Sequence, residues 1–290
     1  METVFRLQGQ ARDAIGHCPN GGQIQSITGR DPSVQSGGSP SSGSGTQRGI
    51  SLARDGILHS RNCLLGSLMP SELCRLEPYI GAAKLRRGEV LSEAAERPKR
   101  VWFPETCVVS LVIAMSTGND ATVGLSGREG AVSAGGARQV VQVSGTARFL
   151  SSSVKQVMLD AIPNLQQLLI RHANALYGQV LQIAACNALH PAEARLARFL
   201  LAVADRVEPH APLPLTQDDL ARALGVQRST VNASAAAFQR AGLITYRRGA
   251  IEIRKRSGLE AVACECHDVV HSYYGLLLGG SNISRVGAAY

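Results

Sequence analysis

The spacing of apolar residues changes character along the chain, and each change marks a different kind of element. From Ala83 to about Leu150 they come in short runs: Val90 to Ser92, Arg100 to Phe103, Cys107 to Met115, Ala121 to Leu125, Gln139 to Val143 and Thr146 to Leu150. Turn formers separate them at Arg87-Gly88, Thr117-Gly-Asn119, Gly127 to Gly130 and Ser144-Gly145. Short strands punctuated at this interval predict a small antiparallel barrel or roll. Ahead of them, Asn62 to Leu68 and Pro70 to Ile80 predict a helical pair, Pro70 suiting a first turn and Leu73, Leu76 and Ile80 sharing a face.

The period then lengthens. Ile162, Leu165, Leu169, His172, Leu176, Gln179, Ile183 and Cys186 alternate steps of three and four residues, the seam of a coiled coil. A self-paired seam, with His172 and Gln179 fixing its register, predicts a dimerisation helix. Leu168, Ile170 and Leu181 lie outside the seam and are left to pack on the chain's own roll.

Further on, Leu215 to Ile244 read as two short helices meeting at Gly225. Thr216 is placed to cap the first, with Asp218 and Asp219 in its first turn where carboxylates meet the positive end of the helix dipole. Leu220, Ala223 and Leu224 form its buried face, Ala221 leaves room for a close crossing, and Val231 anchors the second helix. This is the pattern of a helix-turn-helix. The second helix begins near Gln227 and offers Gln227, Arg228, Ser229, Thr230 and Asn232 at its N-terminal end, the part that meets base edges in a major groove. Arginine suits guanine, and asparagine or glutamine suits adenine. Leu243 to Ile253 predict two strands turning at Arg248-Gly249, a wing that carries Arg247 and Arg248 to a phosphate. With Thr216, these make the expected DNA-contacting set.

Charge sharpens that picture. Between Arg222 and Arg256 stand eight basic residues and a single acid, Glu252, a net +7 within a chain of net +8. Positive charge so localised is the footprint of phosphate neutralisation. The other composition is that of a soluble chain: 290 residues suggest about two domains, no apolar run approaches a membrane span, and no secretory signal opens the sequence. A cytoplasmic protein with no membrane partner is expected. Residues Gly21 to Gly49 are rich in glycine and serine and bury too little to offset chain entropy, so residues 1–55 are expected to be a disordered extension.

The seven cysteines are scattered, which argues for reduced thiols. Cys264-Glu-Cys266-His267, with His271 four residues on, contains competent metal ligands. On one helix, however, Cys264 and Cys266 would point about 200° apart, and buried helical cysteine is the preferred account; no metal site and no cofactor is assigned. No Gly-x-Ser-x-Gly elbow, Walker loop or HExxH occurs, so no catalytic residue is assigned and the chain is not expected to be an enzyme.

These features together resemble the Crp/Fnr family of transcription regulators. The resemblance is carried by Arg87-Gly-Glu-Val-Leu91, Val101-Trp-Phe-Pro104 with Val108 to Val112, Gly127-Arg-Glu-Gly130, the long helix, Glu193 to Leu200, the helix-turn-helix, Tyr246-Arg-Arg-Gly249 and Gly258 to Cys266. It implies an α+β chain: an N-terminal antiparallel, jelly-roll-like β-roll sensor domain (56–155), a central dimerisation helix (156–188) and a winged helix-turn-helix DNA-binding domain (189–272), followed by a tail (273–290). It further implies a homodimer on a palindromic operator in double-stranded DNA, with RNA polymerase as a candidate further partner.

Departures from the family pattern bear on the signal. Gly127 to Arg138 stands where cyclic-nucleotide-binding members carry their phosphate cassette. Arg128, Glu129, Gly130 and Arg138 could line an effector pocket there, but the Gly-Glu-Leu element is missing and Gln139 follows the arginine. Cys18 alone cannot supply the four ligands of an iron-sulfur cluster, and nothing favours haem. Ser229 and Ala233 replace the residues with which familiar members read guanine and cytosine. The expected function is therefore sequence-specific transcriptional regulation by a homodimer answering an unidentified signal. The alternatives are a thiol- or metal-responsive sensor, with Cys107 or Cys186 as the switch, or a cyclic-nucleotide-responsive one.

Overall fold

The computed structural model describes residues 60–116, 118–133 and 135–278; the expected N-terminal extension lies outside them. Two short helices, α1 (Cys63–Gly66) and α2 (Pro70–Leu76), lead through a 3-10 turn (Glu77–Tyr79) into seven strands: β1 (Ile80–Leu85), β2 (Val90–Ser92), β3 (Arg100–Pro104), β4 (Val108–Ala114), β5 (Asp120–Ser126), β6 (Arg138–Val143) and β7 (Gly145–Ser151). All pair antiparallel, in two sheets ordered β1-β7-β3 and β2-β6-β4-β5. Leu85, Trp102 and Ala147 of the first sheet meet Val109, Leu111 and Val141 of the second in one apolar cluster, so the alternating pattern closes a two-layer roll. Asn62 starts α1 as a cap, its side chain accepting from the Leu64 and Leu65 amides and donating to the Pro104 and Gly130 carbonyls.

Helices follow: α3 (Ser152–Ala161), α4 (Pro163–Leu189), α5 (Ala192–Ala204), α6 (Gln217–Leu224) and α7 (Arg228–Arg240); then the hairpin β8 (Ile244–Arg247) and β9 (Ala250–Ile253), α8 (Arg256–Val262) and α9 (Cys266–Leu277). Helix α3 is not anticipated by the apolar period; Ser151 caps it, and Met158 and Leu159 bury it beneath the roll. Helix α9 runs to Leu277, into what the sequence pattern assigns to a tail, because Tyr274 and Leu277 join the cluster formed by Leu165, Leu168 and Ala175 of α4.

That packing corrects the expected dimer seam. Ile162, Leu165, His172, Gln179 and Ile183 are buried within their own chain, and Leu169 and Leu176 are half-buried against it. The two polar seam residues bond inward: the Ala131 amide donates to His172 Nε2 (3.2 Å), and Gln179 Nε2 donates to the Leu125 carbonyl (3.0 Å) and the Tyr274 hydroxyl (3.3 Å). Ile170 and Leu181, expected to face the roll, are instead 54% and 52% exposed, with Tyr177 between them at 65%. The helix is rotated from its expected setting because α9 and the roll together cover the seam.

A buried ion pair ties these layers together. Arg206, just past α5, donates from Nε to Glu129 Oε1 (2.8 Å), and both side chains are about a tenth exposed. Its other nitrogens donate to the Ala202 carbonyl (2.6 Å) and Gln179 Oε1 (3.5 Å), and its guanidinium lies over the Tyr274 ring. Burial alone would lower the Arg206 pKa, but Glu129 holds it above its ordinary value. Burial also pushes Tyr274 above its ordinary value.

Truncation of Glu129 to alanine is expected to cost about 3–5 kcal/mol, because it strands a buried guanidinium. Joint replacement by Glu129→Leu and Arg206→Met should cost less than either single change, as read from urea unfolding midpoints. His172 gives a second test. Burial pulls its pKa from 6.5 down to about 4, so the unfolded chain takes up a proton in this range and the folded chain does not. Stability should therefore fall as pH drops from 6.5 to about 4, by up to about 3 kcal/mol. His172→Gln should flatten that slope in unfolding measured across the interval.

Candidate nucleic-acid interface

The helix-turn-helix is built by two local devices. Thr216 caps α6 in a capping box, its hydroxyl accepting from the Asp219 amide (3.1 Å) while Asp219 Oδ2 accepts from the Thr216 amide (2.7 Å). Gly225 then ends α6 in the left-handed region, φ 61° and ψ 38°, a conformation costly for any residue with a Cβ. Val231, Ala235 and Phe238 seat α7 on Leu220 and Leu224 of α6 and on Leu196 and Leu200 of α5. One face of α7 is thus fixed in the core. Its N-terminal end, Gln227, Arg228, Ser229, Thr230 and Asn232, is left exposed.

The wing stands beside it. Arg248 and Gly249 turn the hairpin at φ 50° and 76°, and Leu213 pairs with Ile251 through two backbone hydrogen bonds of 2.7 and 2.8 Å, binding the hairpin to the segment ahead of α6. Gly249 lies against the Thr216 methyl, so wing tip and helix cap adjoin. Arg247 and Arg248 are exposed. The structure therefore brings the eight expected DNA-contacting residues to neighbouring surfaces, with Thr216 already engaged in its cap.

The basic segment is less free than its composition suggests. Arg222 pairs with Asp219 (3.0 Å) and Asp120 (3.7 Å), and Arg256 with Asp205 (2.7 Å) and Glu260 (2.8 Å). These are structural cations whose acids all lie outside the segment in sequence. Arg228 is held loosely: Nε donates to Gln217 Oε1 (3.1 Å) and Nη1 lies 3.4 Å from Asp218, with the side chain 61% exposed. Among the described residues, no ion pair is found for Arg240, Arg247, Arg248 or Lys255.

Two contacts reach back to the roll, and no pattern in the sequence signals either. Arg87 pairs with Asp219 of α6, and Asp120 of β5 with Arg222. Burial would raise Asp219, but its hydrogen bonds from Thr216 and the Arg87 charge keep its pKa below the ordinary carboxylate value. A cavity of about 470 Å³ lies here, lined by Arg87, Arg138, Arg222, Asp120 and Asp219 among others.

The expected effector pocket does not assemble. Arg138 lines that cavity and pairs with Glu93 (3.3 Å), whereas Glu129 faces Arg206. Gly130 abuts His172 so closely that a Cβ would lie 2.3 Å from the ring. The turn at Gly127 to Gly130 is a packed junction between domains, not an open cradle. Cys107 is fully buried, and burial pushes its thiol up to about 12, which disfavours the thiolate a redox switch needs. The Cys264–Cys266 pair also differs from expectation. Cys264 lies in the break between α8 and α9, so the helical angle does not apply. Its neighbours are Cys186 and His190, while His267 bonds Asp205 (2.9 Å).

Comparison with known proteins agrees with this geometry. Residues 194–262 match the model of the Crp-like helix-turn-helix domain. No curated protein matches the chain significantly. Among solved structures, FixK2 from Bradyrhizobium japonicum is 15% identical with a TM-score of 0.55, covering 64% of this chain and 98% of that one. A CRP-family transcriptional regulator from Thermus thermophilus is 18% identical with a TM-score of 0.52, covering 62% and 96%. A Crp/Fnr-family regulator from Eubacterium rectale is 14% identical with a TM-score of 0.52, covering 69% and 96%. The chain carries a Crp-like helix-turn-helix domain on the fold shared by Crp/Fnr regulators. No described helix is long and apolar enough to cross a membrane.

Arg228→Ala is expected to cost about 1–3 kcal/mol of duplex affinity and to relax base preference. Arg248→Ala should weaken all duplexes alike and lower the salt slope by about one. Fluorescence anisotropy over a salt series separates the two effects.

Proposed function

We propose that this protein is a sequence-specific transcriptional regulator that binds double-stranded DNA as a homodimer. The observation that carries the reading is the exposed N-terminal end of α7, with Arg228 and Asn232 free of the core, beside a wing tip bearing Arg247 and Arg248. A helix presented this way fits a major groove, and the wing reaches the flanking phosphates.

A dimer supplies the second half-site. The surface offered for it is the outer face of α4: Ile170, Tyr177 and Leu181 recur at steps of seven and four and are each more than half exposed. Small residues Ala173, Ala184 and Ala188 continue that face. Leaving such a stripe in water is costly, and two copies would bury it along a helix pair. The inward seam is then what couples this helix to the roll, through His172 and Gln179. A signal acting on the roll would shift α4, and with it the spacing of the two reading helices for half-sites about 34 Å apart.

Selection of bound duplexes from a random pool by the full-length protein should enrich an inverted repeat. Leu181→Glu should abolish the repeat, leave a monomer in sedimentation and retain weak single-half-site binding. Enrichment of no sequence, or an unchanged dimer in the variant, would contradict the reading.

A further inference from the structure

Cys186 and His190 lie at the C-terminal end of α4, Cys264 in the link between α8 and α9, and Cys266 at the first position of α9. Three sulfurs and a ring nitrogen from these residues all lie within 4.8 Å of one another. Cys186 is fully buried, Cys264 and Cys266 nearly so. From their chemistry and spacing we infer that this cluster is a structural zinc site of the Cys3His type, clamping the long helix to the exit of the DNA-binding domain.

Two of the ligand-to-ligand distances are close to the edges of such a cage, and the others lie within 4.8 Å. Zinc bonds of about 2.3 Å to sulfur and 2.0–2.1 Å to nitrogen set tetrahedral edges of about 3.6–3.8 Å. Here Cys186 Sγ lies 3.5 Å from Cys264 Sγ, and Cys266 Sγ lies 3.5 Å from His190 Nδ1. A disulfide needs sulfurs about 2.05 Å apart.

Surrounding groups are those that metal ligands require. His190 presents Nδ1 to the cluster while Nε2 faces Glu265 Oε1 at 3.2 Å. That carboxylate fixes the tautomer with Nδ1 free to ligate. Gln182 Nε2 donates to Cys266 Sγ (3.0 Å), a bond that strengthens when the sulfur is a thiolate. Three thiolates around a dication leave one net negative charge. Arg198 is 5% exposed and acts electrostatically on Cys186. Its Nε has no hydrogen-bond partner among the described residues, and its charge balances the site.

The chemistry is simple: the ion enters, three thiols release their protons to solvent, and four bonds form. All four positions are filled by protein, the mark of a structural site with no opening for substrate. Soft sulfur donors with one imidazole in a tetrahedron select zinc over magnesium or calcium. The bonds join residues 78 apart in sequence, so occupancy stabilises the docking of α9 on α4. This inference stands whether or not the chain binds DNA.

Cobalt titration of the reduced, untagged full-length protein tests it. One equivalent per chain is expected, with thiolate-to-cobalt charge transfer, intense tetrahedral ligand-field bands, displacement by zinc and a raised thermal midpoint. Cys264→Ser should lose the bands and Cys107→Ser should keep them. His190→Cys should keep binding but shift the spectrum toward four sulfurs, a result that an unfolded variant does not give. Absence of cobalt binding, retention of the wild-type spectrum in Cys264→Ser or His190→Cys, or a Cys186–Cys264 disulfide in place of metal uptake would overturn the assignment.

Discussion

The arrangement of this chain turns on one buried guanidinium and the carboxylate that pairs with it. Arg206 stands just past the end of α5, yet its partners come from a roll turn (Glu129), the long helix (Gln179) and the last helix (Tyr274). A buried ion pair adds little net stability compared with an apolar replacement, but it penalises any geometry in which one partner is missing. Its effect is to fix relative placement: the roll, α4, α9 and the DNA-binding domain must arrive together for the charge to be satisfied.

That junction explains why the turn at Gly127 to Gly130 cannot double as an anion cradle. Glutamate and glycine there serve inter-domain packing, with the Gly130 backbone pressed against His172 and the Glu129 carboxylate occupied by Arg206. Polar space between the roll and α6 is found instead around Arg87, Arg138 and Arg222. The same logic governs α4. Its most regular apolar stripe is covered from within, and the less regular stripe of Ile170, Tyr177 and Leu181 faces outward.

Local rules make much of this legible. Strand boundaries from β2 to β7, the Thr216 cap, the Gly225 turn and the Arg248-Gly249 wing follow from period and turn chemistry, and each matches within a residue or two. Long-range pairing is not legible. Periodicity gives a helix its stripe but not the identity of what covers it, so the seam of α4 reads as a contact with a second copy when α9 of the same chain takes that place. Charge counts fail similarly, since Arg222 and Arg256 are neutralised by acids remote in sequence. His190 and Cys186 stand 74 or more residues ahead of the Cys264–Cys266 pair, with no spacing motif to connect them. Only folding brings the four together.

The acids around the first helix have a consequence for how this interface would answer to ionic strength. Arg228 rests on Asp218, and Asp219 gathers Arg87 and Arg222. On a duplex, an arginine that exchanges a carboxylate for a phosphate frees a carboxylate to collect its own counterions, so fewer ions are released in total than contacts are made. The salt slope of binding then undercounts the phosphates touched, and the shortfall measures how many internal tethers the protein gives up to sit on DNA.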